Sequence, residues 1–251
     1  FSLCILLFFL ASSCNSNSTK SNQTMNSLYP KKRTFVKYQE EWAIESYFNR
    51  LSEFKTTPIG HNKIVFLGNS ITEGGGDWNK KFGTQNIVNR GIGGDITEGV
   101  IVRIDEIIYY KPIAVFLLIG INDIFNYDTP HRDKISESYV AQNILKIAKI
   151  IKKESPTTKF FIQTILPVNP EIYFKENGFF PEHPTPLPEQ IKNINMILKE
   201  NKQLNILDLH SAFVDIQGYL DVKFTDDGVH LNKVGYANWV NFIKDEIALL
   251  K

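Results

Sequence analysis

Four short, nearly unbroken apolar runs constrain this chain more than any other feature: residues 63–67, 113–119, 159–165 and 204–207. Each is of strand length and lacks the polar alternation of a half-exposed strand, so each reads as a strand buried on both faces. A shorter run at 86–89 makes a fifth. Between the runs lie segments with helical spacing. Residues 38–54 precede the first strand, and 97–109 set Val100, Ile101, Ile104, Ile107 and Ile108 on one face. Residues 138–153 repeat Ile144, Ile147, Ala148 and Ile151, 188–200 repeat Ile191, Ile194, Ile197 and Leu198, and 233–250 follow Asn232 as an N-cap. Strands alternating with helices predict an α/β fold, a parallel sheet with helices on both faces.

At 251 residues and 43% apolar content the chain can bury one sizeable core. A net charge of +1 with scattered lysines gives no electrostatic footprint for nucleic acid, and Lys31-Lys32-Arg33 reads as a solvated linker. The two cysteines, Cys4 and Cys14, fall in the first 14 residues, which leaves the globular part without a disulfide, a cysteine nucleophile or a zinc-type cysteine cluster. The five histidines show no metal-binding spacing, so no metal or other cofactor is expected. Residues 1–10 are almost wholly apolar, too short for a mature spanning helix, and lead into Ala11-Ser12-Ser13-Cys14. Small residues before a cysteine resemble a bacterial lipoprotein signal, with Cys14 the lipidated residue. Ala11 stands where such a signal usually has a large aliphatic residue, and an ordinary cleaved signal peptide is the alternative. The expected organisation is a signal segment over 1–14, a Ser/Asn/Thr-rich flexible tether over 15–34 and one globular domain over 35–251. Export to the cell envelope or beyond is expected in either case.

Chemistry-bearing residues gather where strands end. The first run stops at Gly68-Asn69-Ser70, which lifts a serine hydroxyl out of a buried strand. A serine nucleophile needs a base, and the base an orienting acid. Asp227-Gly228-Val229-His230 offers both three residues apart, although taken alone the same residues read more readily as a turn with a loop histidine. In Arg90-Gly91-Ile92-Gly93-Gly94-Asp95-Ile96 a dinucleotide fingerprint would need glycine at Ile96, so that reading fails. Gly94 could instead present a backbone N–H to a substrate oxygen, or simply make a turn. Asn122, after the strand ending at Ile119-Gly120, could donate its amide to developing negative charge or cap a helix.

In this order, Gly68-Asn69-Ser70, Gly94 of Gly-Gly-Asp, Gly120-x-Asn122-Asp123 and Asp227-x-x-His230 resemble the blocks of the SGNH hydrolases, also called the GDSL esterase/lipase superfamily, over residues 62–248. The resemblance implies a three-layer α/β/α fold with a flavodoxin-like five-stranded parallel sheet, order 2-1-3-4-5. It further implies Ser70 as nucleophile, His230 as general base and acid, Asp227 as its orienter, and an oxyanion hole from the Ser70 and Gly94 N–H groups with the Asn122 side chain. Asn69 departs from the usual Asp of the GDS signature, at a position outside these roles.

The expected activity is hydrolysis of a carboxylic ester through an acyl-enzyme, with O-acetyl groups on carbohydrate as the leading substrate. Lysophospholipase or thioesterase action on longer acyl chains is the second reading, and a non-catalytic glycan-binding lipoprotein the third. Trp78, Phe125, Tyr127 and Phe179 are candidate substrate contacts. Residues 167–188, with six prolines, read as a functional loop near the carboxyl ends of the strands, a lid in the long-chain case, or equally as a passive surface insertion.

Overall fold

The computed structural model describes residues 25–126 and 131–250. Five parallel strands form one sheet: β1 Ile64–Gly68, β2 Ile87–Gly91, β3 Ala114–Leu118, β4 Lys159–Gln163 and β5 Asn205–Leu207. Their order is β2-β1-β3-β4-β5, as the family resemblance implied. Every residue of β1 and β3 is buried, which is why these strands carry no polar alternation.

Ten α-helices flank the sheet among the described residues. They are α1 Glu41–Thr56, α2 Ser70–Gly74, α3 Trp78–Phe82, α4 Thr97–Val102, α5 Asp105–Tyr110, α6 Ile121–Ile124, α7 Glu137–Glu154, α8 Pro170–Asn177, α9 Leu187–Lys199 and α10 Lys233–Ala248. Helices α3 and α10 pack together on one face, and α4, α5, α7 and α9 pack together on the other. Asn232 caps α10 as expected, its Oδ1 accepting from the Val234 and Gly235 N–H groups at 3.0 Å.

Two expectations change. The helix expected over 97–109 is broken after Val102, because Arg103 turns inward to an ion pair with buried Asp95. The tether expected over 15–34 is, from Met25 onward, part of the folded body. Leu28 and Tyr29 are buried, and the Tyr29 hydroxyl donates to Glu106 Oε1 (2.7 Å) and to the Phe54 carbonyl (3.1 Å). Residues 1–24, and with them Cys14, lie outside the described residues.

Candidate active site

Strand register assembles the site. Gly68 at the end of β1 stands level with Gly91 of β2 on one side and Leu118 of β3 on the other. The residues just beyond these three ends therefore meet at one point of the sheet edge: Ser70, Gly94 and Asn122. This is where the strand order reverses, with β2 on one side of β1 and β3 on the other. Open α/β sheets bind ligands at such a crevice.

Ser70 opens α2. Buried Asn69 caps that helix, its Oδ1 accepting from the Ile71 N–H at 3.0 Å, so the residue that departs from the family signature still shapes the turn. Ser70 Oγ lies 3.0 Å from His230 Nε2, and His230 Nδ1 lies 2.7 Å from Asp227 Oδ2. The other Asp227 oxygen accepts from the Val229 and His230 N–H groups at 2.9 and 2.7 Å. Burial pushes the Asp227 carboxyl up, but the His230 ring and these two backbone donors outweigh it and hold the group well below the usual carboxylate range. Gly228 makes the turn possible. Its φ is +84°, and a Cβ there would fall 2.5 Å from the Asn169 carbonyl oxygen. The Asn169 N–H donates to the Gly228 carbonyl at 2.8 Å, pinning the histidine loop to the start of α8.

The Gly93-Gly94 loop is held from three directions. The Gly93 N–H donates to Glu73 Oε2 (2.6 Å), and Gln39 Nε2 donates to the Gly94 carbonyl (2.9 Å). Next in the chain, Asp95 is fully buried against Arg103, whose Nε and Nη2 approach Asp95 Oδ2 at 2.9 and 2.8 Å. Burial pushes the Asp95 carboxyl up, to about 6, with Arg103 pulling it down. Arg103 Nη2 also donates to the Gly68 carbonyl (3.1 Å), tying this loop to the strand that carries Ser70. Asn122 Nδ2 donates to the Asp95 carbonyl at 2.9 Å, which leaves its second amide hydrogen for a ligand. Beside it, buried Asp123 accepts from the Thr97 hydroxyl (2.5 Å) and N–H (3.0 Å); burial nevertheless pushes its carboxyl up to about 7.

These groups floor a cleft of about 370 Å³, lined by Ser70, Gly94, Asn122 and His230. Gln39, Glu40, Trp42 and Ser46 line it too, from the segment that runs into α1. Phe125, Asn126 and Tyr173 add to the lining from α6 onward and from α8.

A family model described as GDSL-like Lipase/Acylhydrolase matches residues 66–237. The chain belongs to this family. It is a carboxylic ester hydrolase. Among curated relatives, the platelet-activating factor acetylhydrolase IB subunit alpha2 of Rattus norvegicus is 26% identical over 183 residues, 69% of this chain and 71% of the relative. Among solved structures, a GDSL-like lipase from Bacteroides thetaiotaomicron is 22% identical with a TM-score of 0.66, covering 82% of this chain and 98% of that one. An acetylxylan esterase from Geobacillus stearothermophilus, 19% identical, has a TM-score of 0.58 over 75% of this chain and 95% of its own. The two structures share the fold.

In this GDSL-like hydrolase four of the five residues singled out for catalysis and the oxyanion hole, Ser70, Gly94, Asn122 and His230, line one cleft, and the fifth, Asp227, joins them through His230. The aromatic expectations fare less well. Phe125 lines the cleft, but Trp78 does not: it is buried in the core, stacked on Phe66 at 4.5 Å and edge-on to Trp239 at 4.9 Å. Its indole N–H donates to the Thr72 carbonyl, so its polar edge is occupied as well. Phe179 is exposed and lies outside the lining, touching it only through an edge contact with Tyr173 at 5.8 Å. Tyr127 lies outside the described residues. The expected loop over 167–188 contains α8, whose Tyr173 reaches the cleft. Sequence reasoning missed Tyr173 and the whole wall from Gln39 to Ser46.

Proposed function

We propose that this hydrolase removes short acyl groups, foremost O-acetyl groups on carbohydrate, through an acyl-enzyme on Ser70. One observation carries the reading: the Ser70–His230–Asp227 chain, at 3.0 and 2.7 Å, opens into the same cleft as Gly94 and Asn122. His230 Nε2 takes the Ser70 proton as Oγ attacks the ester carbon. Asp227 accepts from Nδ1–H and so keeps the lone pair on Nε2 facing the serine. The oxygen of the tetrahedral intermediate is met by Asn122, Gly94 and the Ser70 N–H, which has no intrahelical acceptor at the first position of α2. The His230 proton then passes to the leaving alcohol, and the same ring activates water to release the acid. The curated relatives, named for the hydrolysis of an acetyl group, support the short acyl half.

The test is a series of nitrophenyl esters with labelling by a fluorophosphonate. Wild type labels and prefers acetyl over octanoyl, whereas Ser70→Ala stays folded and neither labels nor turns over. A rate rising steeply with chain length sinks the acetyl reading in favour of lysophospholipase or thioesterase action; full activity in folded Ser70→Ala removes the nucleophile. The apolar run ahead of Ala11-Ser12-Ser13-Cys14 supports export with Cys14 as a lipid anchor. Labelled fatty acid entering the full chain but not Cys14→Ala tests that part.

A further inference from the structure

We propose that Trp42 and Glu40 form the subsite for the alcohol half of the substrate and select a neutral, hydroxyl-rich ring: an uncharged sugar. This rests on the esterase reading above and adds what the ester must carry. Both residues precede the part of the chain that matches the family model, residues 66–237.

Contact with the oxyanion loop fixes the wall in place. A Cβ on Gly94 would fall 2.7 Å from Trp42 Cη2 and 2.9 Å from Ala43 Cβ, and Gln39 donates to the Gly94 carbonyl. Trp42 thus lies against a glycine that borders Ser70 in the cleft, yet the residue is 63% exposed. Its indole N–H donates to Glu40 Oε2, and Asn126 Nδ2 donates to the same carboxylate at 3.0 and 3.2 Å. The polar edge of the indole is therefore engaged, and what it offers a ligand is its face. An aromatic face suits the C–H side of a sugar ring, and the amides and carboxylate beside it suit its hydroxyls.

Charge decides the class of sugar. Among the described lining residues Glu40 carries the only carboxyl group, and no lysine or arginine is present to balance it. A carboxylate in this position repels phosphate and carboxylate groups on a substrate. A quaternary ammonium would be attracted to the same charge, which two neutral donors leave in place; what favours a ring bearing hydroxyls is the amides of Gln39 and Asn122 in the lining, which a trimethylated cation has no group to engage.

The experiment measures acetate release by the full chain from four esters: acetylated methyl xyloside (neutral ring), acetylated N-acetylneuraminic acid (anionic ring), acetylcholine (cation) and ethyl acetate (no ring). Wild type is expected to favour the xyloside. Trp42→Ala should lower the ratio of kcat/KM for the xyloside over ethyl acetate by about tenfold. Glu40→Gln, which can still accept from Trp42, should raise the relative rate on the anionic sugar by about fivefold or more. Thermal melts confirm folding, which the exposed position of Trp42 favours. Unchanged ratios in both variants, or acetylcholine as the preferred ester, overturn the subsite while acetate release and Ser70 labelling leave the esterase intact. If no ester is cleaved and Ser70 does not label, the esterase reading itself fails and the subsite falls with it.

Discussion

Replacing Asp227 by Asn separates what the carboxylate does for the fold from what it does for His230. One oxygen of Asp227 accepts two backbone N–H groups, from Val229 and His230, and only an oxygen can stand there. The amide introduced by Asp227→Asn must therefore keep its oxygen at that position and turn its NH₂ toward His230 Nδ1, which lies 2.7 Å from the native carboxylate. A donor facing Nδ1 forces the ring proton onto Nε2, opposite Ser70 Oγ at 3.0 Å, and the lone pair that should accept the serine proton is lost. The same tautomer trap in a serine protease triad costs about 10⁴ in kcat, and that is the size expected here. Asp227→Ala behaves differently. It loses both backbone caps, about 1–2 kcal/mol of stability, while the half-exposed ring can recruit water at Nδ1 and keep part of the correct tautomer. Asp227→Asn should thus be the more stable but less active of the two, read by urea denaturation and by kcat on nitrophenyl acetate. The low carboxyl value of Asp227 adds a pH signature. Its stabilisation is present above the ordinary carboxylate range and lost as pH falls through the folded value, so wild type should lose more stability than Asp227→Asn on acidification below about pH 4. Retention of more than about a tenth of wild-type kcat in Asp227→Asn would refute the reasoning, because it would mean that the tautomer is set elsewhere.

Other substitutions probe the floor and the core. Asn122→Ala should lower kcat by about 10²–10³ with KM little changed, since its amide is needed when the carbonyl oxygen becomes charged; an effect confined to KM would contradict that role. Trp78→Ala should cost about 3–5 kcal/mol in urea denaturation as a core truncation, with KM for a short ester little altered. Asp123 predicts a pH dependence of the opposite sign to Asp227. Its folded value, about 7, stands above the ordinary 3.8, so the folded chain holds the extra proton and loses stability as pH rises between them. Chemical denaturation at about pH 5 and pH 7.5 should show that slope in wild type and a flatter one in Asp123→Asn; equal slopes would exclude Asp123 as its source.

The sheet was legible because β1 and β3 are buried on both faces, and such strands must be apolar throughout. The site was legible because its residues sit at strand ends, where a short motif and its structural context coincide. Helices α2, α3 and α6 were not, since four or five residues hold too few turns to show a period. The break between α4 and α5 depends on Arg103 finding Asp95 and Gly68, contacts that no local pattern displays. Trp78 was misplaced for a related reason. An aromatic residue following Gly74-Gly75-Gly76-Asp77 reads as exposed, and its burial is decided by Phe66 and by Trp239, 161 positions further along.

The same distinction explains why the reaction could be read and the substrate could not. Catalysis depends on atoms placed by β1, β2, β3 and one tight loop, each marked by a glycine or a polar residue after an apolar run. The proposed alcohol subsite rests on Glu40 and Trp42, which carry no motif and gain their meaning only by folding back, with Gln39, onto Gly94, more than 50 residues away. A wall built that way can change without disturbing the strand-end residues, provided that whatever replaces it still supports the Gly94 carbonyl. Gln39 and Trp42 therefore have separable functions. Loss of the Gln39 amide should loosen the oxyanion loop and slow every ester alike, whereas loss of the Trp42 ring should weaken only those esters whose alcohol half has a face to stack. Parallel losses from Gln39→Ala and Trp42→Ala across ringed and ringless esters would show that the segment acts solely as a brace for Gly94 and takes no part in choosing the substrate.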